Sequence, residues 1–349
     1  MKHIVFSDYV NAWSIKKGLK KLGHDTYLVD NKNKLFKFIN KKDIKKNDIL
    51  FFTDENSLSL YVNKESNHFE PKFLDKKIFD DKLAFANYLE GIHETPIPSK
   101  PFNNKDNSYP YYLKCRHSWV NGKKLPRGYI IHSQANLKKA LEQINNNEWD
   151  INWFFHQKLL NSNSENNISA SGYFDYSDNK RNAIILTKKT IGSTKTMSTG
   201  AAIETVRDPA NLIERTINIL NKLKYKGPFE LEFFYENKDD IYYILELNPR
   251  FWMQHGILIK HYNNAILKRY LYIEGENELY SQGIPEFKHL VWIDTTYLLY
   301  CLLKLNLHKV INLLTLKGKK NYFPNIQSSF YFLIIKYKKS ILKRLKKNE

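Results

Sequence analysis

The sequence predicts a mixed α/β (α+β) protein. Three observations carry this. At the N-terminus, short apolar runs alternate with a helix-spaced segment, as in a parallel sheet. Past the middle, Phe229–Tyr235 and Ile241–Leu247 are β-rich runs around the polar turn Glu236–Asp240, a hairpin pattern. After Pro285 the pattern changes to long apolar stretches, read as an appended helical region. At 349 residues the chain has room for about two or three domains.

Composition narrows the class. Aromatic residues make up 14% of the chain against only 13 Gly and 11 Pro, so it is neither disordered nor fibrous. Cys115 and Cys301 are the only cysteines, too few for a disulfide framework and without metal-ligand partners nearby. A reducing cytoplasm is therefore the expected location. The opening residues MKHIVFSDYV lack the apolar core of a signal peptide, and no apolar run is long enough to span a bilayer. The net charge of +19 suits nucleic acid, an anionic membrane surface or a nucleotide. No zinc-finger spacing, RNP motif or base-reading basic helix is present, and the lysines are dispersed, so nucleic acid is not expected as a partner.

In chain order, residues 2–8 read as a short buried strand. Asn11–Leu22 reads as a helix from the spacing of Trp13, Ile15, Leu19 and Leu22, with Gly23 as its C-cap. Asp25–Asp30 and Asp48–Thr53 read as further strands and Leu35–Ile39 as a short helix. The alternation predicts a Rossmann-like parallel sheet over 1–79; without a GxGxxG it does not predict dinucleotide binding. Asp80-Asp81-Lys82 opens a helix through Leu89 to Gly91, an acidic start that suits the helix dipole, and Pro96 and Pro98 break the chain. Tyr109–Cys115 reads as a strand whose Lys114 stands among aromatic and apolar residues, where a charge needs a partner.

The loop Ser118–Arg127 leads to a strand at Gly128–Ile131, a helix from Ala135 to Ile144 and a strand with a polar pair within Ile151–Leu160. Asn161–Asn167 reads as a polar loop. Ile168–Tyr176 and Asn182–Thr187 form a strand pair, with Lys188, Lys189 and Thr190 leaving the second strand, and Ile191–Ala201 is a loop of small hydroxyl residues. Asp208–Leu223 is a helix, Gly227-Pro228 ends its connection to the hairpin, and His255–Leu271 is helical. Beyond Pro285, Leu290–Leu305 and Ser328–Ile335 are apolar and Lys336–Lys347 is basic.

The hairpin carries the chemistry. Strand alternation puts Glu230 and Glu232 on one face, and Glu246 with Asn248 on one face of the partner. Antiparallel pairing can bring Glu232 level with Glu246 and Asn248, with Arg250 one step beyond. Oxygen donors without Cys or His suit a hard cation such as Mg²⁺, which takes one or two carboxylates and completes its shell with water and phosphates. Arg250 can hold a phosphoryl oxygen. An edge hairpin with a solvated acidic face is the other reading of the same residues.

Glu-Leu-Asn-Pro-Arg at 246–250, preceded by a strand carrying Glu232, resembles the Mg-ATP signature of the ATP-grasp superfamily. The following Phe251-Trp252 resembles the predicted ATP-dependent carboligases, a carboxylate-amine ligase branch. The resemblance runs in motif order from about Asp80 to Ile257. It implies an ATP-grasp fold with a pre-ATP-grasp domain over 1–79 and an ATP-grasp domain over 80–285. The latter divides into a nucleotide-binding lobe with lid (80–160) and a metal-binding lobe (161–285), and 286–349 follows as a helical region with a basic tail. The resemblance makes Lys82 and Lys114 phosphate contacts, and Gln157, Lys158 and Leu160 the segment that reads the adenine edge. The family often has Glu where Gln157 stands. The family's glycine-rich lid loop keeps only Gly122 and Gly128 here, so Lys123, Lys124 and Arg127 supply charge in its place. Lys188 or Lys189 would face the transferred phosphate; Lys188 is the candidate taken. His255 reads as a substrate or phosphate contact, or as a core or surface histidine.

The implied cofactors are ATP and Mg²⁺, with Mn²⁺ as a substitute metal. The implied reaction activates a carboxylate as an acyl phosphate and couples it to an amine, both small molecules, in surface-polysaccharide or peptide-like metabolite assembly. Two rivals stand beside it: an ATP-grasp kinase or carboxylase, and a degenerate nucleotide-binding or membrane-associated scaffold. The basic C-terminus is compatible with peripheral membrane contact or with a solvated tail, and the chain with a homodimer.

Overall fold

The computed structural model describes residues 1–6, 10–29, 37–45, 47–62, 81–105, 108–120, 123–160, 166–192, 200–271, 286–323 and 333–334. Gly122, residues 193–199 of the hydroxyl-rich loop, Asp80, most of the 161–167 loop and the basic Lys336–Lys347 run lie outside them.

The N-terminal sheet is parallel, as the alternation predicts. β1 (His3–Val5) pairs with β2 (Thr26–Val29) and with β4 (Ile49–Phe51), and β2 pairs with β3 (Lys37–Ile39). The order is β3-β2-β1-β4. Lys37–Ile39 is thus an edge strand and not part of a helix: Phe38 and Ile39 register with Leu28 and Val29, and that pairing outweighs local helical spacing. Helix α1 (Val10–Lys21) buries Ala12, Ile15 and Leu19. A second helix, α2 (Glu55–Val62), follows β4; Asp54 caps it by accepting the Ser57 N–H at 2.9 Å.

Helix α3 (Lys82–Gly91) begins as expected, with Asp81 accepting from the Leu83 and Ala84 N–H groups. A four-stranded antiparallel sheet follows: β5 (Ser99–Pro101), β6 (Tyr111–Cys115), β9 (Gly128–Ile131) and β10 (Phe154–Lys158), in the order β5-β10-β6-β9. The short hairpin β7 (Trp119–Val120) and β8 (Lys123–Lys124) lies between β6 and β9 in the chain. Helix α4 (Gln134–Asn146) covers one sheet face through Leu137, Ala140 and Ile144, packed with Leu113, Cys115 and Phe154. Gly128 sits at φ 143°, and a Cβ there would meet the Leu113 carbonyl oxygen at 2.4 Å, so only glycine lets β9 lie this close to β6.

The largest sheet has seven strands, in the order β15-β14-β11-β12-β13-β16-β17. These are β11 (Asn167–Asp175), β12 (Ala183–Gly192), β13 (Gly200–Thr205), β14 (Lys226–Glu236), β15 (Ile241–Asn248), β16 (Leu290–Asp294) and β17 (Lys319–Phe323). Two expectations change here. Lys188, Lys189 and Thr190 do not leave β12: β13 pairs alongside and extends the strand to Gly192. Gly227-Pro228 belongs to β14, opposite Tyr173 and Phe174.

One face of this sheet is apolar, with Ile168, Ala170, Ile184, Leu186, Leu231 and Phe233 under α5 (Leu212–Lys222) and α3. The other face changes along its length. Its Tyr173, Ala183 and Ile185 end packs on α1 and on α6 (Gly256–His261) and α7 (Ala265–Tyr270). Its far end carries Ser169, Thr187, Glu232 and Glu246, level with one another across four strands.

The region beyond 285 is not wholly helical. β16 pairs antiparallel with β13 and parallel with β17, and all five of its residues are buried. Its apolar run fits a strand covered on both faces. Helices α8 (Thr295–Leu303) and α9 (Leu307–Thr315) follow, Asp294 capping α8.

Replacing Gly128 with Ala forces a non-glycine residue into positive φ against a carbonyl, so stability should fall by about 1–3 kcal/mol in urea unfolding.

Candidate functional site

The acid face is built by register. Glu232 lies directly opposite Glu246 and Glu230 opposite Asn248 across the β14–β15 ladder, with a bulge after Glu232. The Asn248 amide NH₂ donates to Glu230 and to Glu232, each at 3.2 Å. Asn167 donates to the other Glu232 oxygen at 3.0 Å, and Gln254 to the other Glu230 oxygen at 2.8 Å. Burial raises the Glu230 and Glu232 carboxyls above their ordinary range. Glu230 is raised further by Glu232, and Glu232 by Glu246. Neutral amides thus hold a crowd of carboxylates.

Cations approach from the neighbouring elements. Lys114 is 6% exposed and stands on the face of β6 that it shares with Tyr112, opposite the face that carries Leu113 and Cys115. Its ammonium makes no hydrogen bond or ion pair among the described residues. Burial lowers it to about 8, against the raising fields of Glu246 and Glu232. Arg250 donates to Glu55 at 3.3 Å and to the Asn248 amide oxygen at 3.5 Å, while its Nε is buried with no partner. Arg127 is exposed at the head of β9, with its charge felt by Glu232 and Lys114.

Lys189, not Lys188, shares the acid face. Thr187 is level with Ser169 and Glu232, so alternation puts Lys189 on their side and Lys188 on the other, in line with Ile168. Lys189 is also the lysine whose charge reaches Glu232. The candidate Lys188 is corrected accordingly.

The remaining candidates divide. Gln157 is buried on the Lys114 face of the small sheet and donates to the Ser99 hydroxyl at 3.2 Å. Lys158 faces the other way and pairs with Asp239 in the β14–β15 turn, so its side chain ties the two sheets together. Leu160 packs with Ile97, Phe234 and Tyr243. Lys82 donates to the Ser118 hydroxyl at 3.2 Å. His255 is a core residue: it is fully buried, pairs through Nδ1 with the Trp252 carbonyl, and burial lowers it to about 4.

Sequence reasoning missed Glu55. Burial would raise its carboxyl, but Lys82, Arg250 and the Ser118 hydroxyl together hold it down at about 2. Glu55 follows the N-terminal sheet, which is joined to the site by the Phe251 N–H donating to the Phe52 carbonyl at 3.1 Å and by the Asn11 side-chain amide donating to the Thr53 and Phe251 carbonyls. Its available signal was Asp54, a helix N-cap one residue earlier.

Among the described residues no group of three or more His, Cys, Asp or Glu side chains is set to hold a metal. The donors of this site are two carboxylates and an amide, the set that suits a hard cation sharing its shell with phosphate. Lys114 and the orphan Arg250 Nε are the cationic groups beside these donors.

Residues 177–264 match the family model described as carbamoyl-phosphate synthase L chain, ATP binding domain. The fold is similar to that of a RimK domain protein, titled ATP-grasp, from Sphaerobacter thermophilus (TM-score 0.53, 12% identity, 79% of this chain and 100% of that one). The chain has the fold of that ATP-grasp protein. The similarity of fold extends to N5-carboxyaminoimidazole synthetase from Staphylococcus aureus complexed with ADP (TM-score 0.61, 15% identity, 88% of this chain and 87% of that one). It extends also to L-amino acid ligase from Bacillus licheniformis (TM-score 0.54, 9% identity, 75% and 69%). No curated protein sequence matches the chain significantly.

Lys114 gives a pH test of this site. Its folded value of about 8 lies below the ordinary 10.5. Between the two, the unfolded chain holds the proton and the folded chain has released it, so this term stabilises the fold increasingly as pH rises. Urea unfolding should show wild type gaining roughly 2 kcal/mol relative to Lys114→Met between about pH 7.5 and about pH 9.5.

Proposed function

We propose that the protein is an ATP-dependent ligase that activates a carboxylate as an acyl phosphate and joins it to an amine. The observation that carries the reading is the opposition of Glu232, Glu246 and Asn248 to Lys114 and Arg250. Glu232, Glu246 and the Asn248 carbonyl would hold Mg²⁺, which when bound neutralises phosphate charge. Lys114 would take a phosphate oxygen, which gives its buried ammonium the partner it lacks. Arg250, anchored by Glu55, would turn its free Nε–H to the γ-phosphoryl oxygens. Lys189 would approach the same group from β12. Lys82, at the start of α3, would add a phosphate contact, with Arg127 at the mouth. Gln157 would offer its amide oxygen to the adenine amino group, since its NH₂ is already held by Ser99, and the backbone from Lys158 to Leu160 would complete the adenine slot.

Phosphoryl transfer is mainly positioning and charge stabilisation, so no protein nucleophile is required. A carboxylate oxygen of the substrate attacks the γ-phosphorus and ADP departs. The amine then attacks the acyl carbon, phosphate leaves, and the amide nitrogen gives up its proton. The L-amino acid ligase and the synthetase among the proteins of similar fold support carboxylate activation as the class. A small-molecule carboxylate and amine are the substrates on this reading.

The test is ADP release from Mg-ATP against amino acids and sugar acids, singly and in pairs, with product mass. Release that needs both partners and yields an amide is expected; release that leaves a stable phosphorylated product would make the protein a kinase instead. Glu246→Gln should lower turnover by at least ~10²-fold with the fold intact, because it removes ligand charge at nearly constant volume. Lys189→Met should cost ~10-fold or more where Lys188→Met costs little; the reverse order would overturn the Lys189 assignment.

A further inference from the structure

Exposed large apolar side chains concentrate in one place. Leu302, Leu303, Leu305, Leu307, Ile311 and Leu314 are all exposed, Leu305 at 81%. They belong to α8, α9 and the turn between them. Helix α9 is apolar on two sides. Val310 and Leu313 pack inward with Leu298, Cys301, Val291 and Ile293. Leu307, Ile311 and Leu314, at i, i+4 and i+7, form a second stripe that faces away from that core. A water-facing helix has no use for such a stripe. Leu305 adds to it from a left-handed backbone at φ 52°, a conformation that favours glycine over a branched side chain. An apolar patch of this kind marks a contact surface.

Charge identifies the partner. From Thr295 to Phe323 the chain carries Lys304, Lys309, Lys317, Lys319 and Lys320 and no acidic residue. Asp294 just before it is buried as the cap of α8. No acidic side chain among the described residues pairs with Lys304, Lys309 or Lys317. A second copy would bring the same lysines face to face. The chain's own residues 324–349 carry the same sign of charge, with Glu349 as the sole acid. What fits is a partner with an apolar interior beneath an anionic layer.

We propose that the outer face of α8 and α9 docks on the surface of an anionic lipid bilayer. The aliphatic side chains enter the boundary between headgroups and acyl chains, and the lysines take lipid phosphates. No helix among the described residues is long and apolar enough to cross a membrane, so the contact is peripheral. The geometry leaves the acid face clear: α8 and α9 pack on Ala202, Val291 and Ile293, on the side of the large sheet opposite Glu232.

The test is co-sedimentation of the full chain with vesicles of phosphatidylcholine, alone or mixed with phosphatidylglycerol. Wild type should sediment with the mixed vesicles at low salt, release at high salt and ignore the neutral ones. Leu305→Glu with Ile311→Glu should lower vesicle affinity at least ~10-fold. Both positions are exposed, so the double variant should keep its thermal unfolding midpoint. Lys304→Glu with Lys317→Glu, likewise on the surface, should lose the preference for anionic vesicles. Absence of wild-type binding would overturn the proposal. So would binding that survives both variants but disappears when Lys343, Arg344, Lys346 and Lys347 become Glu, which assigns the contact to the tail. A wild-type dimer in solution that the apolar double variant converts to monomer would overturn it as well, making the face a self-interface.

Discussion

The molecule is arranged around a charge opposition that neither side could hold alone. Glu230, Glu232 and Glu246 crowd one end of the large sheet, and Lys114 is buried in the small one. Desolvation pushes the Glu230 and Glu232 carboxyls up and the lysine down, each toward its neutral form; the fields of Glu246 and Glu232 oppose that drift at Lys114, and those of Arg250, Lys189 and Arg127 oppose it at the carboxyls. A buried charge is tolerated when it is paired and costly when it is not. The site stands between these limits, with amides and opposite-sign fields in place of full partners. A metal nucleotide brings both missing charges at once, cation to the acids and phosphate to the lysine, and this complementarity is the physical content of the proposed reading.

The hairpin joins this chemistry to the architecture within a few residues. Glu246 and Asn248 face the site from β15; Arg250 turns to Glu55; Phe251 and Trp252 are fully buried with α1 and β4 of the N-terminal domain. The Phe251 backbone donates to Phe52. The position of the first domain therefore sets the position of Arg250, and Glu55 carries that coupling further through Ser118 to Lys82. The N-terminal parallel sheet, without a glycine-rich fingerprint, thus contributes a side chain to the site from beyond its C-terminal end, where open α/β sheets bind ligands.

Much of this was legible in the sequence because it is local. Alternation and a polar turn place Glu232 level with Glu246, and the structure pairs them directly. A lysine in an aromatic strand reads as a charge in need of a partner, and Lys114 is buried without one among the described residues. What the sequence did not carry was decided by distant pairing. Lys188 and Lys189 differ only in parity, which depends on the register of β12 against β11. Lys37–Ile39 follows an edge pairing with β2, and Leu290–Asp294 is a strand because β13 and β17 flank it. Glu55 is recognisable only once Arg250 lies beside it.

The most direct measurement is calorimetric titration of the purified protein with ADP, with and without Mg²⁺. The account requires nucleotide to bind with the metal and much more weakly without it, because the acid face repels bare phosphate. Equal affinity in both conditions, or no binding in either, would contradict it.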